Sequence, residues 1–352
     1  MRGPAATVRI CALAAVAVLT GAGAAAGAAD AEGGPRPPAA SPLPLRPLAQ
    51  LGEHLDGTAF RSPMGLSYDP AQDEVFVADS GNGLVGIFDG GGVPKFSFAP
   101  GRSRDFPVAT ATDTEGNIYV ISASERQVDV FDFRGEPLRE IALGEVERVQ
   151  PVAAGMGMGP DGRLYVLDGA GGRILVYALD GTRVRVIRGS GKGGSRLQAP
   201  IDIAFDAAGN LYVSDRKGVP VQVYNPLGNY LRGWGKREVG VDGFSTPAGI
   251  SVDADGNVYV ADPVRQEVKV FDGAGNFLGR FGGFGAGPGD MAYPTDVAAG
   301  RDGRVYVLER VGRRLQVFSR NSRTDAPNNA QLHPPGAAAP PASPAPGAPT
   351  PP

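Results

Sequence analysis

The sequence offers little to thiol or metal chemistry. Of its 352 residues one is cysteine and two are histidine. Cys11 sits inside an apolar N-terminal run, too early and with the wrong neighbours for a lipoprotein cleavage site. Removal of that run on export leaves no thiol, no disulfide and no thiolate metal site. The histidines, His54 and His333, are far apart, and no C-x-x-C-H haem motif, P-loop or H-E-x-x-H helix is present. A net charge of −3 excludes the basic balance of a dedicated nucleic-acid binder. Apart from residues 10–20, no apolar run approaches membrane-spanning length.

The ends of the chain are compositionally unlike its middle. Residues 1–29 read as a signal peptide. Arg2 and Arg9 supply the positive start, Ile10 to Thr20 the apolar stretch, and the small residues after it cleavage points near Ala26, Ala29 or Ala31. This predicts a secreted or periplasmic protein. Residues 30–43 and 323–352 are rich in Pro and Ala and poor in bulky apolar groups, so they cannot bury enough surface to offset their ordering entropy. They read as an extended linker and tail. The heavy use of Ala, Gly, Arg and Pro fits a GC-rich bacterial genome.

Between these ends, residues 44–322, one phrase recurs six times. Its opening prolines are Pro63, Pro107, Pro151, Pro200, Pro247 and Pro294, spaced by 44 to 49 residues. Each is followed by a short apolar strand, an Asp/Gly/Asn turn, a strand such as VYVA (258–261), a loop, a strand such as VKVF (268–271), a second turn and an outer strand. VKVF alternates as a half-exposed strand does. Such a period predicts an all-β, six-bladed β-propeller of four-stranded antiparallel blades. The sixth repeat lacks its outer strand. Residues 46–63 resemble 277–294, an outer strand plus the connection to the next blade, so Pro47–Leu51 is predicted to complete blade six and close the ring. Roughly 275 residues in such a fold can supply a core without cross-links.

The phrase P-x-G-I-x-V-D-x-x-G-N-x-Y-V-A-D followed by V-x-V-F resembles the NHL-repeat family of β-propellers. Blade five carries it as Pro247, Gly249, Ile250, Val252, Asp253, Gly256, Asn257, Tyr259, Val260, Ala261, Asp262, Val268, Val270 and Phe271. All six repeats match in part, over about 47–320. The resemblance implies a repeat class and no single activity: the family includes sensor domains, RNA-binding modules, amidating lyases and secreted proteins. Its lyases hold zinc through histidines, which this chain does not provide in its blades.

Three groups of residues merit attention. An acid ends most second strands (Asp79, Asp168, Asp215, Asp262 and Glu309, with Ser122 in blade two). Recurring once per blade, these read as acceptors of backbone N–H groups rather than a metal ring. Asp253-x-Asp-x-Asn257 lacks the glutamate of a calcium loop and reads as a turn. Asp202 and Asp296 stand two residues past the opening Pro, where blades one and five have Gly and blades two and three Ala. That places them beside the channel mouth, where they could hold a cation, bind an amine or cap free amides. Finally, Arg188, Lys192, Arg196, Arg216, Lys217, Arg265, Arg310, Arg313 and Arg314 fall on the face built from longer, more varied loops, in blades three to six. Blades one and two place Asp79, Glu125, Glu145 and Glu147 there. Binding is expected on this face and at the channel mouth.

These features predict a non-enzymatic, monomeric binding or scaffolding module for a protein or anionic envelope polymer. No nucleic acid, metal, cofactor or catalytic residue is expected. The alternative is a lyase or hydrolase using Asp202 and Asp296 with a bound metal.

Overall fold

The computed structural model describes residues 45–101, 106–123, 125–189, 196–237 and 240–320. The expected signal peptide, linker and tail, and with them Cys11 and His333, as well as Lys192, lie outside the described residues.

Six antiparallel sheets of four strands each form the predicted propeller. In blade one the strands run, from inner to outer, Pro63–Asp69, Glu74–Asp79, Leu84–Asp89 and Pro94–Phe98. The β-branched and aromatic residues of the second strands are buried on both faces, as in Leu164–Asp168 and Val258–Asp262. Tight turns join neighbouring strands. Gly256 shows why they need glycine, with a φ of +81° after Asp253 has accepted the amides of Asp255 and Asn257.

No blade buries both of its faces alone, and the core records the solution. It consists of six apolar clusters, each shared by two neighbouring blades. The cluster between blades six and one joins Tyr306, Leu308 and Val317 to Leu66, Val77 and Phe88. The ring closes as predicted. Arg46–Leu51 pairs antiparallel with Arg314–Ser319, from Arg46 opposite Ser319 to Leu51 opposite Leu315. Leu51 and Ala49 pack on the cluster between blades six and one.

His54 follows this clasp strand. It is buried, its Nε2 lies 3.3 Å from Asp79 Oδ2, and its ring packs edge-on against Phe60 at 5.0 Å. A side chain at Gly86 would collide with it. This histidine anchors the clasp to blade one.

The register corrects one reading of the repeats. Pro63, Pro107, Pro200 and Pro294 each face the residue that ends the second strand, but in blade three Ala153 faces Asp168. Pro151 lies two residues too early, and Gly155, not alanine, is blade three's equivalent of Asp202 and Asp296.

Deleting residues 44–52 is expected to abolish cooperative folding, read by circular dichroism, because it strips blade six of its outer strand. Removing 323–352 should leave the melting temperature unchanged. Leu51→Ala should cost about 1–3 kcal/mol in urea unfolding.

Candidate functional site: the ring floor, the central cavity and the loop face

The conspicuous acids are blade structure. The five that end second strands are fully buried. Asp215 accepts the amides of Gln198 and Ala199 in the loop entering the blade, and those of Lys217 and Gly218 in its own loop. Asp262 does the same for Ser245, Thr246 and Arg265. Asp79 takes Arg61 and Ser62, Asp168 takes Val152 and Gly171, and Glu309 takes Ala292. Burial pushes the Asp79 carboxyl up, but bonds from His54 and the two amides outweigh it and hold it below the usual range. In blade two the Ser122 hydroxyl has no partner among the described residues. Nor do three His, Cys, Asp or Glu side chains converge on a metal position among them.

A second repeated device escaped the sequence pattern. Residues 267–271 are buried throughout, where VKVF reads as half-exposed. Lys269 donates to the carbonyl of Val241 at 2.7 Å and to Glu267 at 2.6 Å, beneath the loop entering blade five. Burial pulls its ammonium below the ordinary lysine value, against the Glu267 charge. Gln222 and Gln316 hold the same position in blades four and six and donate to the carbonyls of Arg196 and Asp290. The signal was a polar residue in the middle of a third strand.

Asp202 and Asp296 are brought together. They belong to blades four and six, and Gly249 of blade five stands between them: a Cβ there would strike the Asp296 carboxylate. Asp202 accepts the amide of Ile250 at 2.9 Å. Asp296 accepts those of Leu66 at 2.7 Å and Val297 at 2.8 Å. Burial drives the Asp202 carboxyl up to about 6. Burial and then the charge of Asp202 push the Asp296 carboxyl up as well.

They do not flank an open mouth on the loop face. At their level adjacent inner strands touch: side chains at Gly65 and Gly155 would strike the backbones of Val108 and Ile201, and the Gly249 amide bonds the Thr295 carbonyl at 3.0 Å. This ring of Gly65, Ala109, Gly155, Asp202, Gly249 and Asp296 forms a floor. Beyond it lies a cavity of about 670 Å³ that ends among the Asp turns on the opposite side, with no described residue of the long loops in its wall. Leu66, Thr110, Met156, Ile203, Ile250 and Val297, one from each blade, make a collar above the floor. Tyr68, Thr112, Met158, Phe205 and Val252 line the wider part.

The loop-face cations divide into two kinds. Arg314 is tied to Glu309 at 2.6 Å and to the Asp290 carbonyl at 2.7 Å, and Arg265 donates to the Gly240 carbonyl at 2.5 Å, so both hold loops. Arg188 pairs with Glu147 at 2.8 Å, and Arg310 donates to Ser62 at 3.3 Å. Arg196, Arg216, Lys217 and Arg313 are exposed, with no side-chain bond to a described residue. Exposed apolar side chains share this face: Leu55, Tyr293, Val311, Val264 and Phe284, the last 82% exposed. The loops carrying several of them touch, since Arg310 and Gly312 donate to the carbonyls of Tyr293 and Ala292, and Gly52 lies against the Arg313 carbonyl.

Six four-stranded blades around a floored channel define a β-propeller. The family model "NHL repeat" matches residues 244–271, most of blade five and its entry loop, and the chain is a six-bladed propeller carrying that repeat. No curated protein matches it. Among solved structures it is similar to a putative gluconolactonase (20% identity, 80% of this chain and 93% of that one, TM-score 0.57). It is also similar to a protein of unknown function from Bacteroides thetaiotaomicron (17%, 78% and 75%, TM-score 0.61). A third is a catalytically inactive histidine-to-alanine variant of virginiamycin B lyase from Staphylococcus aureus, with quinupristin (11%, 78% and 98%, TM-score 0.55). At these identities the likeness is one of fold.

Two outcomes test these assignments. Asp262→Ala strands three amides and should cost on the order of 3 kcal/mol, read by denaturant unfolding. The fold favours protonated Asp202, so its contribution is complete below the unfolded carboxyl value of about 3.9 and is lost as pH rises through about 6. Asp202→Asn should flatten that part of a melting-temperature profile.

Proposed function

We propose that this protein is an exported, non-enzymatic binding module whose loop face docks a protein partner bearing acidic groups. The observation that carries this reading is the patch at the closing seam. Exposed Phe284, Tyr293, Val311 and Leu55 share adjoining loops with Arg310 and Arg313. Apolar groups ringed by cations fit a protein surface with acidic residues better than a hydrated anionic polymer, which gives Phe and Val nothing to bury against. The cations supply steering and salt dependence, the apolar groups the affinity. Export rests on the composition of residues 1–29, and no described helix is long and apolar enough to cross a membrane.

The rival reading, acid–base chemistry by Asp202 and Asp296, meets an obstacle. Their oxygens already receive the amides of Ile250, Leu66 and Val297, which ties them to holding the inner strands. The virginiamycin B lyase variant is inactive on loss of a histidine. Here His54 is buried behind Asp79, away from the cavity.

A photo-cross-linking residue at position 284 should yield one discrete protein adduct in cells. The Arg310→Glu, Arg313→Glu double variant should lose it, and purified complex should weaken steeply with salt. Adducts arising only from the turn face would overturn the reading.

A further inference from the structure

The central cavity is a second candidate site, on the side away from the loop-face patch and independent of it. Its volume of about 670 Å³ lies within the range of sites for small organic molecules. Its walls are mostly apolar, and their polarity is one-sided. Among the described residues, Asp69, Asp113, Asp202, Asp206 and Asp253 line it against a single guanidinium, Arg301. Arg301 is itself paired with Asp73 at 2.9 Å. The four turn acids are held at the rim by their own turns; Asp69, for example, accepts the amide of Ala71 at 2.7 Å. Asp202 alone reaches the cavity from the floor.

We propose that this cavity binds a small organic ammonium ion, its charged end on the Asp202 carboxylate at the floor and its apolar body against the half-buried wall residues Tyr68, Met158, Phe205 and Val252.

The charge and the shape argue together. A chain of about five or six carbons reaches from the level of Asp202 past about two inner-strand residues toward that wall, at ~3.3 Å per residue. An anion would meet the Asp202 carboxylate at the floor and four more carboxylates at the rim, which disfavours it. A neutral ligand would gain the apolar contacts and leave the floor charge unpaired. The ionisable group facing Asp202 is Asp296, burial raises both carboxyls, and an ammonium needs Asp202 in its ionised form. Binding is therefore coupled to proton release and strengthens as pH rises past the titration of the pair.

Isothermal titration of the purified protein with hexylammonium chloride, against sodium hexanoate, tests this at about pH 7.5, where the amine (about 10.4) is charged. The expected result is saturable binding of one hexylammonium per chain, at least about tenfold tighter than hexanoate. It should weaken by a similar factor in Asp202→Asn and at pH 5. Thr112→Trp, which narrows the cavity from a half-buried wall position, should abolish it with the melting temperature retained. If Asp202→Asn does not fold, the hexanoate comparison and Thr112→Trp decide alone. Equal binding of hexanoate, unsaturable binding, or binding unaffected by Thr112→Trp would overturn the proposal.

Discussion

Five of the six blades are fastened to the chain that enters them by a buried carboxylate. Asp79, Asp168, Asp215, Asp262 and Glu309 end their second strands with no exposure to solvent, and each takes backbone amides from the incoming loop. A carboxylate can remain ionised in such a place only if several donors surround it. The requirement runs both ways, since the amides of a buried loop need acceptors. Above the carboxylates, Gln222, Lys269 and Gln316 take carbonyls of the same entry loops. Donors and acceptors of a connection with no strand partner are thereby satisfied, and the loop face can carry long loops on a fixed base.

Much of this was legible in the sequence, because a repeat exposes what every blade shares. Six blades, the clasp and the structural role of the recurring acids all followed from comparing one phrase with the next. What the phrase could not show depends on the ring in three dimensions. Asp202 and Asp296 are 94 residues apart in sequence and two blades apart in the fold, and they meet only because Gly249 between them has no side chain. The displacement of Pro151 is invisible until Ala153 is seen opposite Asp168. Lys269 reads as a surface residue, since its strand alternates, yet an incoming loop covers it. Arg314 and Arg265 read as free cations, since the sequence does not reveal the carbonyls they serve.

The two sides of the ring differ in kind. The long-loop side is closed at its centre by touching inner strands and offers a surface, apolar and cationic, over the seam where the chain ends meet. The turn side is regular at its rim and hollow at its centre. A propeller commonly concentrates variation where its loops are long; here the concave space lies behind the short turns, and its wall varies through inner-strand residues such as Tyr68, Met158 and Phe205 and through turn residues such as Pro70, Pro160 and Arg301.

The clasp has a consequence in time. Its two halves, Arg46–Leu51 and Arg314–Ser319, are the first and last strands described. During synthesis the opening strand emerges with no partner and waits until nearly the whole chain has been made. Contacts between such distant segments form slowly, after long loop closure. Until then the cluster between blades six and one has only one wall, so the nascent chain stays an unsealed arc, open to chaperones. Completion of the last blade then acts as a quality check on length: a chain truncated before Arg314 has no strand on which its own beginning can settle.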